Sequence, residues 1–168
     1  MPLLPPKSPA ESLTEMVQIV RPPDANALDT AFGGTVMGWI DICAAVAAQR
    51  HSRQSAVTAS MDDLHFHAPI RVGWIVIVMA RVIAAFHSSM EIGVTVHSEN
   101  PRTGEQRLAT SALLTFVALD QDGKKLDVPP LLLTTDAERQ AAADALTRRT
   151  ERLDRKDRAQ RWRAVLGA

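Results

Sequence analysis

The chain has 168 residues, a length that suits a single domain with some additional sequence. Its 46% apolar and 23% charged residues are ordinary for a globular protein, and its 19 basic and 19 acidic residues give no formal net charge. This balance excludes a strongly basic chain, so the composition gives no electrostatic reason to expect binding to nucleic acid or to an anionic membrane.

The sequence before the first helix predicts a loose start, one strand and a loop. Residues 1–9 contain four prolines and are expected to be loosely held. Leu13–Val20 carries the β-branched residues of a first strand. Pro22 and Pro23 end that strand, because proline donates no backbone hydrogen bond and disfavours helix in the residue before it. Residues 24–32 are predicted to form a loop.

A helix is predicted from Thr35 to about His51. Its apolar residues recur on one stripe, which consists of Val36, Ile40, Cys43, Ala44 and Ala47. Between residues 31 and 49 only Asp41 carries a full charge. A carboxylate in apolar surroundings costs on the order of several kcal/mol unless it is paired or protonated. Asp41 is therefore paired, faces water or takes part in chemistry, whereas Cys43 is expected to be a buried and inert thiol.

The next part of the chain predicts four strands. They are separated by turn residues and comprise Ala56–Phe66, Trp74–Phe86, Met90–Val96 and Arg107–Leu119. One apolar helix between a first strand and a series of long strands predicts an α+β fold, in which a curved antiparallel β-sheet wraps around a central α-helix.

The end of the chain predicts a charged accessory helix. Thr135 and Glu138 have the spacing of a capping box, and helical sequence follows to about Leu166. Acidic residues alternate with basic ones there and the whole chain lacks tyrosine, so we expect a solvated helix on the body or a neighbour rather than a nucleic-acid surface. We expect two regions, a main domain at 10–131 and a charged helical extension at 132–168.

No segment of the sequence predicts secretion or membrane insertion. The first residues lack the apolar stretch of a signal peptide. The longest uncharged run is far shorter than the roughly 20 residues that span a bilayer. We therefore predict a cytoplasmic protein.

The glycine pair Gly33-Gly34 and Asp41 are the candidate functional groups. The pair is either a tight turn or a place where the free N–H groups of a helix start stabilise negative charge on a carbonyl oxygen. Asp41 lies seven residues beyond Gly34, about 10 Å along the helix axis, too far to share one substrate atom easily. A second subunit that supplies one of the two groups would solve this problem. A structural role for Asp41 remains the alternative.

Several segments jointly resemble the hotdog-fold acyl-CoA thioesterases of the cytosolic acyl-CoA hydrolase type. They cover roughly residues 14 to 131 in matching order and spacing. The segments are Pro23–Asn26, FGGTVMGWID at 32–41, Ala44-Ala45, Val57–Ser60, Leu64–Phe66, Pro69–Gly73, Ser88–Ile92, Asn100–Glu105 and Thr115–Ala118.

The resemblance implies a hotdog fold and an enzyme that hydrolyses an acyl-CoA to a free fatty acid and coenzyme A without a cofactor. Asp41 matches the family's helix aspartate, as general base or nucleophile, and Asn26 matches the asparagine that orients water or substrate. In the family the two meet across a dimer interface. The amide of Gly34 would hold the thioester oxygen. The resemblance also implies self-association as a dimer or a trimer of dimers.

Six further residues are expected to contact the substrate. They are Gly33, Thr35, Thr58, Ser88, Ser89 and Met90, of which the last three match the strand backbone that lines the path of the pantetheine arm. No metal is expected, because the five histidines lack metal-ligand spacing with cysteine or glutamate. The sequence also lacks the glycine-flanked serine of serine hydrolases. Trp39, His67 and Trp74 depart from the family pattern and leave the acyl-chain preference open.

Two other functions fit the same sequence. One is a non-catalytic acyl-CoA-binding module in which the hotdog pocket serves as a sensor. The other is a hotdog enoyl-CoA hydratase. A hydratase usually pairs its aspartate with a nearby histidine, and no histidine follows Asp41 before His51, so thioester hydrolysis is favoured.

Overall fold

The structure is a computed structural model that describes residues 4–166, with side chains for residues 4–154. The chain divides between Leu132 and Leu133 into two compact units. The elements of the first unit are β1 (Thr14–Ile19), α1 (Gly33–Ser52), β2 (Ser55–Phe66), β3 (Ile75–Ala85), β4 (Ser89–Glu99) and β5 (Gln106–Leu119), with turns of 3-10 helix at Pro9–Ser12 and Pro22–Asp24. The second unit contains α2 (Asp136–Leu166).

The five strands form one antiparallel sheet in the order β1-β3-β4-β5-β2. Helix α1 connects β1 at one edge with β2 at the other and contacts all five strands. It therefore crosses the inner face of the sheet, and the predicted α+β arrangement of a sheet around a central helix is confirmed. This topology leaves β2 with one neighbour, β5, and one open edge.

The core lies between α1 and the inner face of the sheet. The predicted apolar stripe of α1 is confirmed, since all five of its side chains are buried. They meet the apolar inner side chains of the central strands, among them Val78, Ile92 and Phe116. Burial of a side chain such as Ile40 stabilises the fold by roughly 1.5–3 kcal/mol. Alanine at 44, 47 and 48 lets the helix backbone lie close to the strands.

Cys43 is buried in this core, as predicted. Its Sγ lies 3.6 Å from the carbonyl oxygen of Thr14 and 3.5 Å from that of Val78. Burial raises the pKa of the thiol to about 11, and the nearby charge of Arg50 opposes the rise. The thiolate form is therefore scarce at neutral pH, and Cys43 is a packing residue rather than a nucleophile.

Helix α1 begins two residues before the predicted start. The N–H of Val36 donates to the carbonyl of Phe32 at 3.1 Å, which makes Gly33 and Gly34 the first turn. Glycine has low helix propensity, so the sequence pattern places the start of the helix after the glycine pair, at Thr35. At the other end Arg53 adopts a left-handed conformation with φ of 57° and closes the helix.

The expectation of a loose start is wrong from Lys7 onward. The N–H of Lys7 donates to the carbonyl of Pro130 at 3.0 Å, and the N–H of Leu132 donates to the carbonyl of Lys7 at 2.8 Å. The ammonium of Lys7 also donates to the carbonyl of His51, at 2.7 Å, in the last turn of α1. The residues that bond to Lys7 lie far from it in the sequence. The proline-rich composition of residues 1–9 therefore could not predict these hydrogen bonds.

His51 is fully buried in the last turn of α1. Its Nε2 lies 2.7 Å from the carbonyl oxygen of Pro129, which can only accept, so Nε2 carries the proton. Nδ1 is then an acceptor, and no hydrogen bond reaches it within the described residues. Burial lowers the pKa of His51, and the Pro129 carbonyl and Glu11 oppose the shift while Lys7 adds to it.

We expect this histidine to make the fold less stable in mild acid. Its folded pKa is below its unfolded value of about 6.5, so stability is full above that value and falls as pH decreases below it. The loss cannot exceed about 1.4 kcal/mol per pH unit. Urea unfolding between about pH 8 and pH 5 should show a weaker pH dependence for His51→Gln than for wild type. His65→Gln, at an exposed histidine, is the control, and equal slopes for wild type and His51→Gln would contradict the expectation.

The capping box at the start of α2 is confirmed. The N–H of Glu138 donates to Thr135 Oγ1 at 3.2 Å, and the N–H of Thr135 donates to Glu138 Oε2 at 3.1 Å. Backbone N–H groups of Thr134 and Thr135 lower the pKa of Glu138. The helix continues to Leu166 as predicted, and residues 167–168 of the predicted extension lie outside the described residues. Over the part of the chain that is described, no helix combines the length and apolarity needed to cross a bilayer.

Candidate active site

The start of α1 offers unpaired backbone donors. Phe32 is the N-cap residue and its side chain makes no capping hydrogen bond. Among the described residues, no hydrogen bond takes the N–H groups of Gly33, Gly34 or Thr35. Such groups carry the positive end of the helix dipole and can hold an oxygen that gains negative charge.

Two aromatic rings lie against the glycine pair. A Cβ on Gly34 would stand 2.5 Å from Cε1 of Phe32, and a Cβ on Gly33 would stand 3.5 Å from Cζ of Phe66. Glycine at position 34 therefore leaves room for the Phe32 ring. Both rings are more than half exposed, at 57% for Phe32 and 53% for Phe66. The glycine pair thus lies between two accessible aromatic side chains.

Asp41 is paired, and it faces solvent rather than the core. Thr58 of β2 donates its Oγ1 hydrogen to Asp41 Oδ1 at 2.6 Å. Asp41 is partly exposed and Thr58 is exposed. The sequence predicted Thr58 as a substrate contact. The structure joins it to the candidate catalytic carboxylate, and its contact with a substrate stays a prediction.

The surface around Asp41 is apolar. Exposed apolar side chains of α1 are Met37 at 39%, Ile42 at 57% and Val46 at 38%. Of these, Met37 lies one turn before Asp41 and Ile42 follows it directly, and Thr58 joins Asp41 to the edge strand β2, so exposed apolar side chains and an open strand edge lie near one carboxylate. This combination is unusual for surface that stays in water.

Asn26 forms a turn of its own. Its Oδ1 accepts a hydrogen bond from the N–H of Leu28 at 2.8 Å, and its Nδ2 donates to Thr30 Oγ1 at 3.0 Å. The side chain is exposed. Within the described chain no hydrogen bond joins Asn26 to Asp41 or Thr58. In one copy of the protein, the described hydrogen bonds of the Asn26 side chain stay in its own loop and that of Asp41 goes to β2.

The loop that carries Asn26 is fixed at both ends. Arg21 and Asp24 form an ion pair with Nε and Oδ2 2.9 Å apart, and the hydrogen bond from Arg21 lowers the pKa of Asp24. The N–H of Phe32 donates to the carbonyl of Asp24 at 2.8 Å, and the N–H of Ala31 donates to the carbonyl of Ile70 at 2.7 Å. The loop is therefore a rigid support for the start of α1.

Ser89 and Met90 lie level with Thr58 across the sheet. Phe116 of β5 pairs with Thr58 on one side and with Met90 on the other. Two strand spacings separate Thr58 from Met90, about 10 Å. The Met90 side chain is fully buried, so only its backbone can contact a ligand. Ser88 comes just before β4, and its carbonyl accepts the N–H of Ala118 at 2.9 Å.

The described residues contain no group of three or more histidine, cysteine, aspartate or glutamate side chains placed to hold a metal. His65 and His67 stack with ring centroids 6.3 Å apart, and His67 Nε2 lies 2.9 Å from Ser111 Oγ.

Two cavities differ in their relation to these groups. One of about 360 Å³ opens beside Gly33 at the start of α1. A larger one of about 570 Å³ lies along the strands and is lined by Asp63, His65 and Arg81 among others. Neither Asp41, Thr58 nor the glycine pair lines the larger cavity. Its size alone therefore does not make it the candidate site.

Sequence and structure comparisons agree on one family. A family profile described as the thioesterase superfamily matches residues 28–105. A Bacillus subtilis protein named as an uncharacterized acyl-CoA thioester hydrolase is 40% identical over 157 residues, which cover 94% of this chain and 91% of that protein.

Solved structures extend the likeness to the fold. An acyl-CoA hydrolase from Staphylococcus aureus, in complex with butyryl coenzyme A, coenzyme A and coenzyme A disulfide, is 36% identical with a TM-score of 0.89, covering 98% of this chain and 100% of that chain. An apo-hexameric acyl-CoA thioesterase is 37% identical with a TM-score of 0.86, covering 91% and 98%.

Variants of the Staphylococcus aureus hydrolase have also been solved. They replace an asparagine, an aspartate and a threonine by alanine, at positions that are 15 and 17 residues apart. Asn26, Asp41 and Thr58 have the same spacing in this chain. The hotdog fold expected from the sequence is confirmed by these structures, and the chain belongs to the thioesterase superfamily, among its acyl-CoA thioester hydrolases.

Proposed function

We propose that this protein hydrolyses the thioester bond of an acyl-CoA. Water oxygen adds to the thioester carbonyl carbon, the carbon–sulfur bond breaks, and a fatty acid and coenzyme A leave. The observation that carries the proposal is the 2.6 Å hydrogen bond from Thr58 to Asp41, which fixes a carboxylate at an open sheet edge in a chain of this family.

Gly34 would hold the thioester oxygen. Its N–H lies in the first turn of α1, where backbone donors are unpaired and the helix dipole is positive. The carbonyl oxygen becomes negative as water adds, so this donor binds the transition state more tightly than the substrate. One donor of this kind typically accelerates a reaction by about 10²–10³. Gly33 and Thr35 are proposed as neighbouring substrate contacts in the same turn.

Asp41 would act on the other side of the reacting carbon. As general base it takes a proton from water, and as nucleophile it attacks the carbonyl carbon and is later released by water. In either role Thr58 is a positioning residue, because its hydroxyl occupies one carboxylate oxygen and orients the other. The spacing that Asn26, Asp41 and Thr58 share with the substituted positions of the Staphylococcus aureus hydrolase supports this assignment.

Two copies of the chain would complete each site. Gly34 and Asp41 of one chain are about 10 Å apart along α1, and Asn26 bonds only within its own loop. Association through the open edge of β2 and the exposed apolar residues of α1 near Asp41, Met37 and Ile42, would place Asn26 of one copy near Asp41 of the other. A two-fold interface of this kind buries the exposed apolar surface around Asp41.

The hexameric relative supports an assembly of three such dimers. Within each dimer, the pantetheine arm of the substrate would run along Ser88, Ser89 and the backbone of Met90, of which Met90 lies level with Thr58. Water and the side chains of this protein suffice for the proposed reaction, so we propose no cofactor, and coenzyme A is part of the substrate.

We assign catalysis to residues 10–131 and an accessory role to the charged extension at 132–168. Cytoplasmic location and the absence of nucleic-acid or membrane partners stay predictions from the sequence.

The test is release of free thiol from a series of acyl-CoA substrates, from short to long acyl groups. We expect steady release, detected with a thiol-reactive dye. Binding of acyl-CoA without release would overturn the proposal in favour of a sensor. With an enoyl-CoA as substrate, a loss of its absorbance without release of thiol would instead indicate a hydratase.

A further inference from the structure

The cavity beside Gly33 has a mostly apolar lining, which suits an aliphatic chain. It holds about 360 Å³, which is space for about twelve water molecules at ~30 Å³ each. Its walls are mostly apolar, with Ala31, Val36, Phe66, Ala68 and Ile70 among them, and Thr30 and His67 are its polar residues.

Backbone hydrogen bonds fix the walls of this cavity. The loop before α1 is joined to the segment after β2 where the N–H of Ala31 donates to the carbonyl of Ile70 at 2.7 Å. That segment is tied to β5, because the carbonyl of Ala109 accepts the N–H groups of His67 at 2.8 Å and Ala68 at 3.3 Å. The pocket therefore exists before a ligand enters, and its volume is set by side chains.

Phe66 is the largest side chain in the wall and the one next to the reacting position. It is the last residue of β2, and its Cζ lies 3.5 Å from where a Cβ on Gly33 would stand. Phe32 lies against Gly34 and does not line the cavity. The two rings therefore flank the same turn, but only Phe66 limits the cavity.

We propose that this cavity receives the acyl chain of the substrate and that Phe66 determines the chain length accepted, favouring unbranched aliphatic groups of short to medium length. The inference depends on the proposed hydrolysis. If the Gly34 N–H holds the thioester oxygen, the acyl chain attached to the same carbonyl carbon lies beside Gly33, where the cavity opens. An apolar chain gains by leaving water for apolar walls, whereas a polar acyl group would lose its hydrogen bonds.

Two variants change the pocket in opposite directions. Phe66→Ala enlarges the cavity, whereas Ala68→Leu fills part of it. We expect Phe66→Ala to raise the ratio of kcat/KM for long against short acyl-CoA substrates, and Ala68→Leu to lower it. One methylene in an apolar pocket is typically worth about 10-fold or more in kcat/KM, so each ratio should change by at least that factor. Phe32→Ala is the matched control, since it removes an equally exposed ring outside the cavity and should leave the ratio unchanged.

The outcomes separate this inference from the reaction itself. If wild type releases thiol and neither Phe66→Ala nor Ala68→Leu alters the ratio, the acyl chain lies elsewhere and the inference is wrong. An equal change in Phe32→Ala would also overturn it. If wild type releases no thiol from any substrate, the proposed hydrolysis itself fails. Thermal melting of each variant confirms folding, which the half-exposed position of Phe66 should preserve.

Discussion

Asp41→Asn is expected to lower thiol release by roughly 10²–10⁴, the range that a positioned acid–base group contributes. Asparagine keeps the size of the side chain, and its oxygen can still accept the hydrogen bond from Thr58 Oγ1. It cannot take a proton from water at neutral pH and is a far poorer nucleophile. The change therefore removes the chemistry while it keeps the contact, and rates with wild type and variant on one substrate measure it.

The matched control is Asp63→Asn, which alters an exposed carboxylate on β2, the strand of Thr58, but outside the proposed site. We expect this control to keep the wild-type rate. Both variants should keep the wild-type melting temperature and affinity for coenzyme A, because neither carboxylate is buried in the core. Full activity of Asp41→Asn would return that residue to a structural role and contradict the mechanism.

The interior of this fold could be predicted from its sequence because it depends on local periodicity. The stripe from Val36 to Ala47 indicated which helix face is buried, and β-branched runs indicated the long strands. The pairing of Lys7 with Pro130 could not be predicted, because it joins segments from opposite ends of the first unit. Local patterns carry no information about such partners.

The candidate site was only partly accessible to sequence reasoning. The isolated charge of Asp41 indicated a carboxylate that must be paired, hydrated or reactive, and the structure shows it paired and partly exposed. Its partner Thr58 is on a strand that reaches α1 only in the folded sheet, so no spacing in the chain indicates the hydrogen bond. The apolar residues Ile42 and Val46 lie outside the predicted buried stripe, but their apolar character gave no sign that they are exposed in a single copy of the chain.

Mixing two inactive variants is expected to restore activity if each site combines two subunits. Each proposed site takes Asn26 from one copy and Asp41 from the other. Asn26→Ala should therefore disable one half of a site, and Asp41→Asn should disable the other half. When both are co-expressed in equal amounts, half of the dimers are mixed, and each mixed dimer has one intact site and one doubly altered site. Activity should therefore return to about a quarter of the wild-type rate, in dimers or in hexamers built from them.

The control for this restoration is a mixture of Asp41→Asn with Thr58→Ala. These residues touch in one chain, so they belong to the same half of the site and no mixed dimer contains an intact pair. We expect this mixture to show no more activity than the average of its two components. If Asn26→Ala and Asp41→Asn also gave only their average, the site would lie within one chain. The loop of Asn26 would then have to leave its turn to reach Asp41, because its hydrogen bonds to Leu28 and Thr30 hold it there.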